Sequence, residues 1–194
     1  NLGSHYALIN CPDQIFSNSV RNSLPHAANE TVDLFLVTSF SSSYGTSLEN
    51  IAKNYAPEST VMNEFSRSVA KENGCELPDN TLIKEYGVYD LGGKIKIQNI
   101  DTFESLCVII YGMNKTVMIS SYAGNDLYKM FDAYGTPDIL VLAGYLNAEA
   151  FPAVRTLIIC SDESSLSTKA LRNARLFCEE LYITGIDRNI TVGI

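Results

Sequence analysis

Continuous apolar runs and helical spacings alternate at both ends of this chain, whereas a stretch in its middle alternates residue by residue. The run VDLFLV within residues 31–38 has no polar face, as expected of a strand covered on both sides. A helix over residues 47–55 follows, with Leu48, Ile51 and Ala52 on one face and Pro57 two residues beyond its end. Residues 7–10 and 60–63 read as short strands. Residues 15–24 and 67–72 read as helices, the second closed by Gly74. In the middle, YGVYDLGGKIKIQNI carries Gly92-Gly93 between two alternating runs, and glycine tolerates the positive φ that a hairpin turn requires. Residues 105–111 and 115–121 form a second hairpin around Gly112-Met113-Asn114. The α/β rhythm then returns. A helix over 126–134 ends at Gly135 and Pro137, buried strands cover 138–143 (DILVLA) and 156–160, and a long helix spans 166–181 with Ser165 or Ser167 as its cap. Short strands around Tyr182 and Thr191 close the chain. The hairpins would interrupt a simple doubly wound sheet. The order suits two mixed sheets packed face to face with helices outside.

With 194 residues, 46% of them apolar and 19% charged, the composition is that of one ordinary globular domain rather than a disordered segment. No apolar stretch reaches the roughly 18 residues of a membrane helix, and no N-terminal signal pattern is visible. Strand-like residues lie close to both ends, which reads as a domain excised from a longer protein. The net charge of −8 argues against a self-sufficient nucleic-acid binder, which needs a basic face to displace counterions from phosphates. Lys169, Arg172 and Arg175 share the long helix and read as a solvated face. The five cysteines are Cys11, Cys75, Cys107, Cys160 and Cys178, with no Cys-x-x-Cys pair. Cys107 and Cys160 sit in apolar runs and read as buried, unpaired thiols, and no disulfide framework is expected. The N-x-[ST] triplets at Asn29, Asn114 and Asn189 are close to chance and carry no weight.

Common catalytic patterns are absent. No G-x-G-x-x-G follows a strand, and Gly92-Gly93-Lys94 is a turn fragment rather than a phosphate loop. The two histidines, His5 and His26, stand apart from other ligand types. The serines of SFSSSYG have no neighbouring His or Lys and no G-x-S-x-G turn, so a serine nucleophile is not expected. Asp126 sits where a helix dipole favours an acid, and Asp162 and Glu163 read as cap and solvent-facing groups.

The frame around that serine loop does resemble something. VDLFLVTSFSSSYGTSLENI is similar to the strand–loop–helix of the metallo-β-lactamase fold, T-H-x-H-x-D-H-x-G-G-L, with Thr38 and Leu48 matching. Every ligand position departs: Ser39, Ser41, Ser43 and Tyr44 stand where the family has His, His, Asp and His. YALINCP resembles the strand L-I-D-x-G, with Asn10 in the place of the Asp. KTVMISSYAGNDLYKMF resembles L-L-T-G-D-A before a helix, with Tyr122 where the family keeps a metal-bridging Asp. TPDILVLAGYLNA resembles D-V-L-K-V-P-H-H-G-S, with Gly144 and Tyr145 replacing the two histidines. RTLIICSDE, the long helix and LYITGIDRNITV resemble the closing strand–helix–strands of one branch, the C-terminal domain of the ComEC competence DNA-uptake channel.

The resemblance implies an α/β fold, a metallo-β-lactamase-like αββα sandwich of two mixed sheets with outer helices, lacking the family's first strand or strands. Residues 1–194 would form a single such domain of a longer membrane protein. Serine hydroxyls and a glycine are poor substitutes for imidazole and carboxylate, so no metal and no cofactor is expected at Ser39, Ser41, Ser43, Tyr44, Tyr122 and Gly144. The expectation that follows is a chain that is not an enzyme. It would be a structural or interaction domain of a ComEC-type DNA-uptake protein, extracytoplasmic and not itself membrane-inserted. Its partners would be the channel part of its own chain or other uptake proteins, with weak or no nucleic-acid binding. Two alternatives stand beside it. One is a divergent metal-dependent phosphodiesterase or nuclease with a displaced site drawn from Asp13, Asp126, Asp162 and Glu163. The other is a stand-alone binding module.

Overall fold

The computed structural model describes residues 7–9, 32–39, 48–49, 53, 55–91, 95–101, 105–120, 125–142, 153–160 and 167–184. The chain divides into two compact units, residues 1–87 with 103–106 and residues 88–102 with 107–194.

In the first unit, β1 (Ala7–Ile9), β2 (Leu34–Leu36), β3 (Ser59–Met62) and β4 (Thr81–Ile83) form a sheet in sequence order with every neighbouring pair parallel. The apolar run of β2 is buried throughout, as its lack of a polar face requires. Val32, Phe35, Val37, Leu48, Tyr55, Met62 and Ala70 pack into one core. Leu48, Glu49, Lys53 and Tyr55 are helical, within the span expected from the sequence. Helix α1 (Glu64–Glu72) begins three residues before its expected start. Asn63, read from the sequence as the last residue of a strand, is its N-cap: the Asn63 side chain accepts the Ser66 N–H at 2.9 Å and satisfies a donor the helix leaves open. Gly74 ends the helix at φ 74°, its N–H donating to the Lys71 carbonyl at 2.9 Å. Strand β4 has no clear signal in the sequence. Its residues are half-buried or exposed, and pairing with β3 makes it a strand.

The seven-stranded sheet, chiefly in the second unit, takes its strands in unbroken chain order from one edge to the other. Strands β5 (Tyr86–Leu91) and β6 (Ile95–Asp101) are neighbours, as the alternating middle stretch predicts, with Gly92, Gly93 and Lys94 outside the described residues. Strands β7 (Leu106–Tyr111) and β8 (Thr116–Ser120) pair antiparallel, and the Gly112 N–H donates to the Lys115 carbonyl across their turn. From β8 onward the pairing is parallel through β9 (Ile139–Leu142), β10 (Val154–Cys160) and β11 (Cys178–Thr184). Helix α2 (Asn125–Tyr134) lies between β8 and β9 in the chain, and α3 (Thr168–Leu176) between β10 and β11. Leu140 and Leu142 of β9 and Leu157 and Ile159 of β10 join Leu127 of α2 and Ala170 and Ala174 of α3 in one core. Alternate residues Val117, Ile139 and Ile158 pack together on the strands' other side.

The long helix expected over 166–181 is two elements. Ser167 caps α3, its hydroxyl accepting the Ala170 N–H at 3.1 Å, and the helix stops at Phe177. Cys178 onward is strand, because six residues of β11 pair in register with β10. Those main-chain bonds outweigh the helical preference of Glu179, Glu180 and Leu181. Asp138, just before β9, holds both neighbours: its carboxylate accepts the Thr116 N–H at 2.8 Å and its carbonyl the Thr156 N–H at 3.1 Å. Among the described residues no helix is long and apolar enough to cross a membrane. The expected helix over 15–24 and the strand around Thr191 lie outside the described residues. Leu140 is fully buried in the core of the second unit. Leu140→Ala should therefore cost about 2–5 kcal/mol, read as a lower denaturant midpoint at unchanged slope.

Candidate functional site

Parallel strands release their following loops side by side, so α/β folds gather ligands beyond the carboxyl ends of the sheet. In the first unit that edge follows β2, β3 and β4. Beyond β2 the Val37 N–H donates to the Val61 carbonyl at 2.9 Å, which carries the pairing past the strand's end. Thr38 is fully buried, and its carbonyl accepts the Leu106 N–H at 2.6 Å. Ser39 follows, half-buried. Beyond β3, Asn63 is fully buried and engaged in the cap of α1. Beyond β4, the Lys84 N–H donates to the Met62 carbonyl at 3.0 Å, and the residue is exposed. Ser39 stands out in the sequence as a site position, whereas Asn63 and Lys84 do not. The Asn-x-x-Ser spacing ahead of an amphipathic stretch was the available signal for the first. For Lys84 there was none, since β4 itself was not legible.

Of the six positions matched to the family's metal site, Ser39 alone falls among the described residues. Ser41, Ser43, Tyr44, Tyr122 and Gly144 lie outside them, as do Asn10, His5, His26, Asp13, Asp162 and Glu163. By chain position Tyr122 follows β8 and Gly144 follows β9, strands whose last residues, Ser120 and Leu142, are register partners. Ser39 belongs to the first unit and both of those strands to the second. Asp126 falls in the first turn of α2. A divalent ion of the family's kind needs imidazole nitrogen and carboxylate oxygen. Three serines, two tyrosines and a glycine do not supply them, so these positions do not fit that metal site. Among the described residues, no three His, Cys, Asp or Glu side chains come together as a metal-binding group.

No family model and no curated protein matches the chain. Solved structures do. The metallo-β-lactamase fold protein YhfI of Bacillus subtilis superposes with a TM-score of 0.64 at 11% identity, over 94% of this chain and 85% of that one. A protein of Parabacteroides distasonis described as a metal-dependent hydrolase gives 0.51 at 14% identity, over 84% and 80%. The fold is the metallo-β-lactamase fold. The short form of human tRNase Z is also similar, with a TM-score of 0.46 at 10% identity over 93% of this chain and 82% of that one. These neighbours correct one expectation. The replaced ligand positions led to a chain that is not an enzyme, whereas the fold it shares is a metallo-hydrolase fold and points toward enzymes. The missing His and Asp residues bear on one arrangement of metal, and not on every site this architecture can hold.

Within this metallo-β-lactamase fold three of the described thiols are held toward their protonated form. Burial pushes Cys107 up to about 12 and also raises Cys178. Burial and then the charge of Glu49 raise Cys75. A thiol held protonated neither attacks nor binds metal. No disulfide joins the four described cysteines. Cys107 is buried as expected, but Cys160 is exposed, because it closes β10 where the strand leaves the covered part of the sheet. Native protein treated with iodoacetamide at pH 8 should label Cys160 and spare Cys107 until denaturant is added, as read by peptide mass mapping. Because the fold holds the Cys107 proton that the unfolded chain releases near 9.0, this thiol's contribution to stability is lost as pH rises from there toward about 12.

Proposed function

We propose that this chain is a hydrolase-class domain of a ComEC-type DNA-uptake protein, with the phosphodiester of nucleic acid as its substrate class. The observation that supports the reading is the closing unit. Of the segments that resemble the ComEC ending, residues 155–160 of RTLIICSDE and 181–184 of LYITGIDRNITV lie in the parallel neighbours β10 and β11, with the capped helix α3 between them in the chain. The segments resembling the rest of the frame are β1, β2, β8 and β9, in the same order along the chain. The metal-dependent hydrolase among the structural neighbours supports the reaction class.

In this reading residues 1–194 act as one domain outside the cytoplasm, beside the membrane channel of the same protein. Hydrolysis is then assigned to carboxylates displaced from the family's ligand positions, with Asp13, Asp126, Asp162 and Glu163 as the candidates. Carboxylate oxygen is the donor type that hard divalent ions prefer.

Metal analysis of the purified protein, together with a nuclease assay in Mn²⁺ and Zn²⁺, tests the reaction class. The expected result is metal-dependent cleavage of DNA that D162N/E163Q lowers at least tenfold. Absence of both bound metal and cleavage overturns the hydrolase reading. The uptake assignment is tested separately by the gene: a polytopic membrane region encoded upstream of Asn1 is expected, and its absence removes the channel.

A further inference from the structure

Helix α1 ends on Asn73-Gly74, the one Asn-Gly pair in the sequence. The glycine is there for its backbone. Gly74 takes φ 74°, a conformation that L side chains resist, while a Cβ at this position would meet nothing within 4 Å. Two bonds then close the helix in a Schellman arrangement. The Gly74 N–H donates to the Lys71 carbonyl at 2.9 Å, and the Cys75 N–H donates to the Ala70 carbonyl at 3.0 Å. The Asn73 N–H donates to the Val69 carbonyl at 3.1 Å, and the Asn73 side-chain amide donates to the same oxygen at 2.7 Å.

The same dipeptide carries a chemistry of its own. A backbone nitrogen can attack the side-chain amide of the asparagine before it, and a glycine nitrogen has no side chain to shield it. Here the bond that forms joins the Gly74 nitrogen to Asn73 Cγ. The bond that breaks is Cγ–Nδ2, and ammonia leaves with the proton that the Gly74 nitrogen gives up. Water then opens the five-membered imide at either carbonyl, which leaves aspartate or isoaspartate. Both residues are exposed, so water and hydroxide reach them. Neither a metal nor the hydrolase reading enters this chemistry.

The helix end holds the reaction off in three ways. A ψ of 6° at Asn73 sets the Gly74 nitrogen on the side of the Asn73 backbone nitrogen, whereas ring closure needs it beside Cβ. The Gly74 N–H, which must lose its proton, is engaged by the Lys71 carbonyl. The leaving nitrogen, Nδ2, is engaged by the Val69 carbonyl. All three restraints fail together when the last turn opens, because they depend on the same few dihedral angles. Local opening at an element's end costs less free energy than unfolding the whole domain.

We propose that Asn73-Gly74 is a self-modification site, deamidated by its own backbone, and that the C-terminal cap of α1 gates it. The change runs one way. A new carboxylate at a helix C-terminus opposes the dipole, and it joins Glu72 and Glu76 in a chain already at −8. Isoaspartate also adds a methylene to the main chain, which upsets the spacing that the Gly74 and Cys75 bonds require. Cys75 and Leu77 pack against the core of the first unit just beyond this cap, and that packing loses its anchor. Deamidation therefore marks molecules whose helix end has opened and keeps it open.

The test is incubation at pH 8 and 37 °C, native and in guanidinium chloride, with isoaspartate in the peptide holding Gly74 followed by peptide mapping. The unfolded chain should convert at least tenfold faster than the native one. Lys71→Gly changes an exposed side chain in the last turn, weakens the helix end and leaves the Asn-Gly pair in place. It should speed native conversion about threefold or more and leave the unfolded rate unchanged. Any one of three results overturns the proposal: equal native and unfolded rates, no conversion of the unfolded chain, or an unchanged native rate in Lys71→Gly. None of them bears on metal-dependent cleavage.

Discussion

A parallel pair of strands cannot be closed by a two-residue turn, because the chain must return the full length of the first strand before it pairs again. That constraint shapes both units. In the first, β1 to β4 pair in parallel and in sequence order, and α1 makes the return from β3 to β4. In the second, β8 to β11 do the same, with α2 and α3 on two of the returns. Each returning helix must bury one face, and Ala70, Leu127, Ala170 and Ala174 are the residues that do so. Parallel pairing also aligns the carboxyl ends of neighbouring strands. Thr38, Asn63 and Lys84 therefore arrive at one edge from three distant parts of the chain.

This arrangement separates what the scaffold holds from what the site contains. The edge is built firmly: Thr38 and Asn63 are fully buried, and main-chain bonds continue past the ends of β2 and β4. The side chains at the family's ligand positions are of the wrong chemical type for its metal. A fold can retain its sheet edge while changing the donors on it, because the sheet is stabilised by burial of apolar residues elsewhere. The metallo-β-lactamase fold and the replaced ligands are compatible on that basis.

Charge is distributed unevenly over this acidic chain. The excess of acids makes nucleic-acid contact unfavourable for the surface as a whole. Screening shortens the reach of that unfavourable field to about 8–10 Å near physiological salt.

Apolar patterning by itself determined most of the elements. The all-apolar run before Ser39, the hairpin around Gly112 and the DILVLA strand carry signals in their own residues, since period and turn chemistry are local. Resemblance of segment order pointed to the fold that the structure displays. Three features depended on tertiary context. Strand β4 has three residues, too few to show a period, and exists because β3 offers an open edge. Residues Glu179 to Leu181 favour a helix, and pairing with β10 makes them a strand. Asn63 reads as a strand residue until α1 is seen to need a cap. The direction of pairing and the meeting of Thr38, Asn63 and Lys84 at one edge were likewise tertiary decisions. Hydrogen bonds between strands distant in sequence leave no periodic mark along the chain.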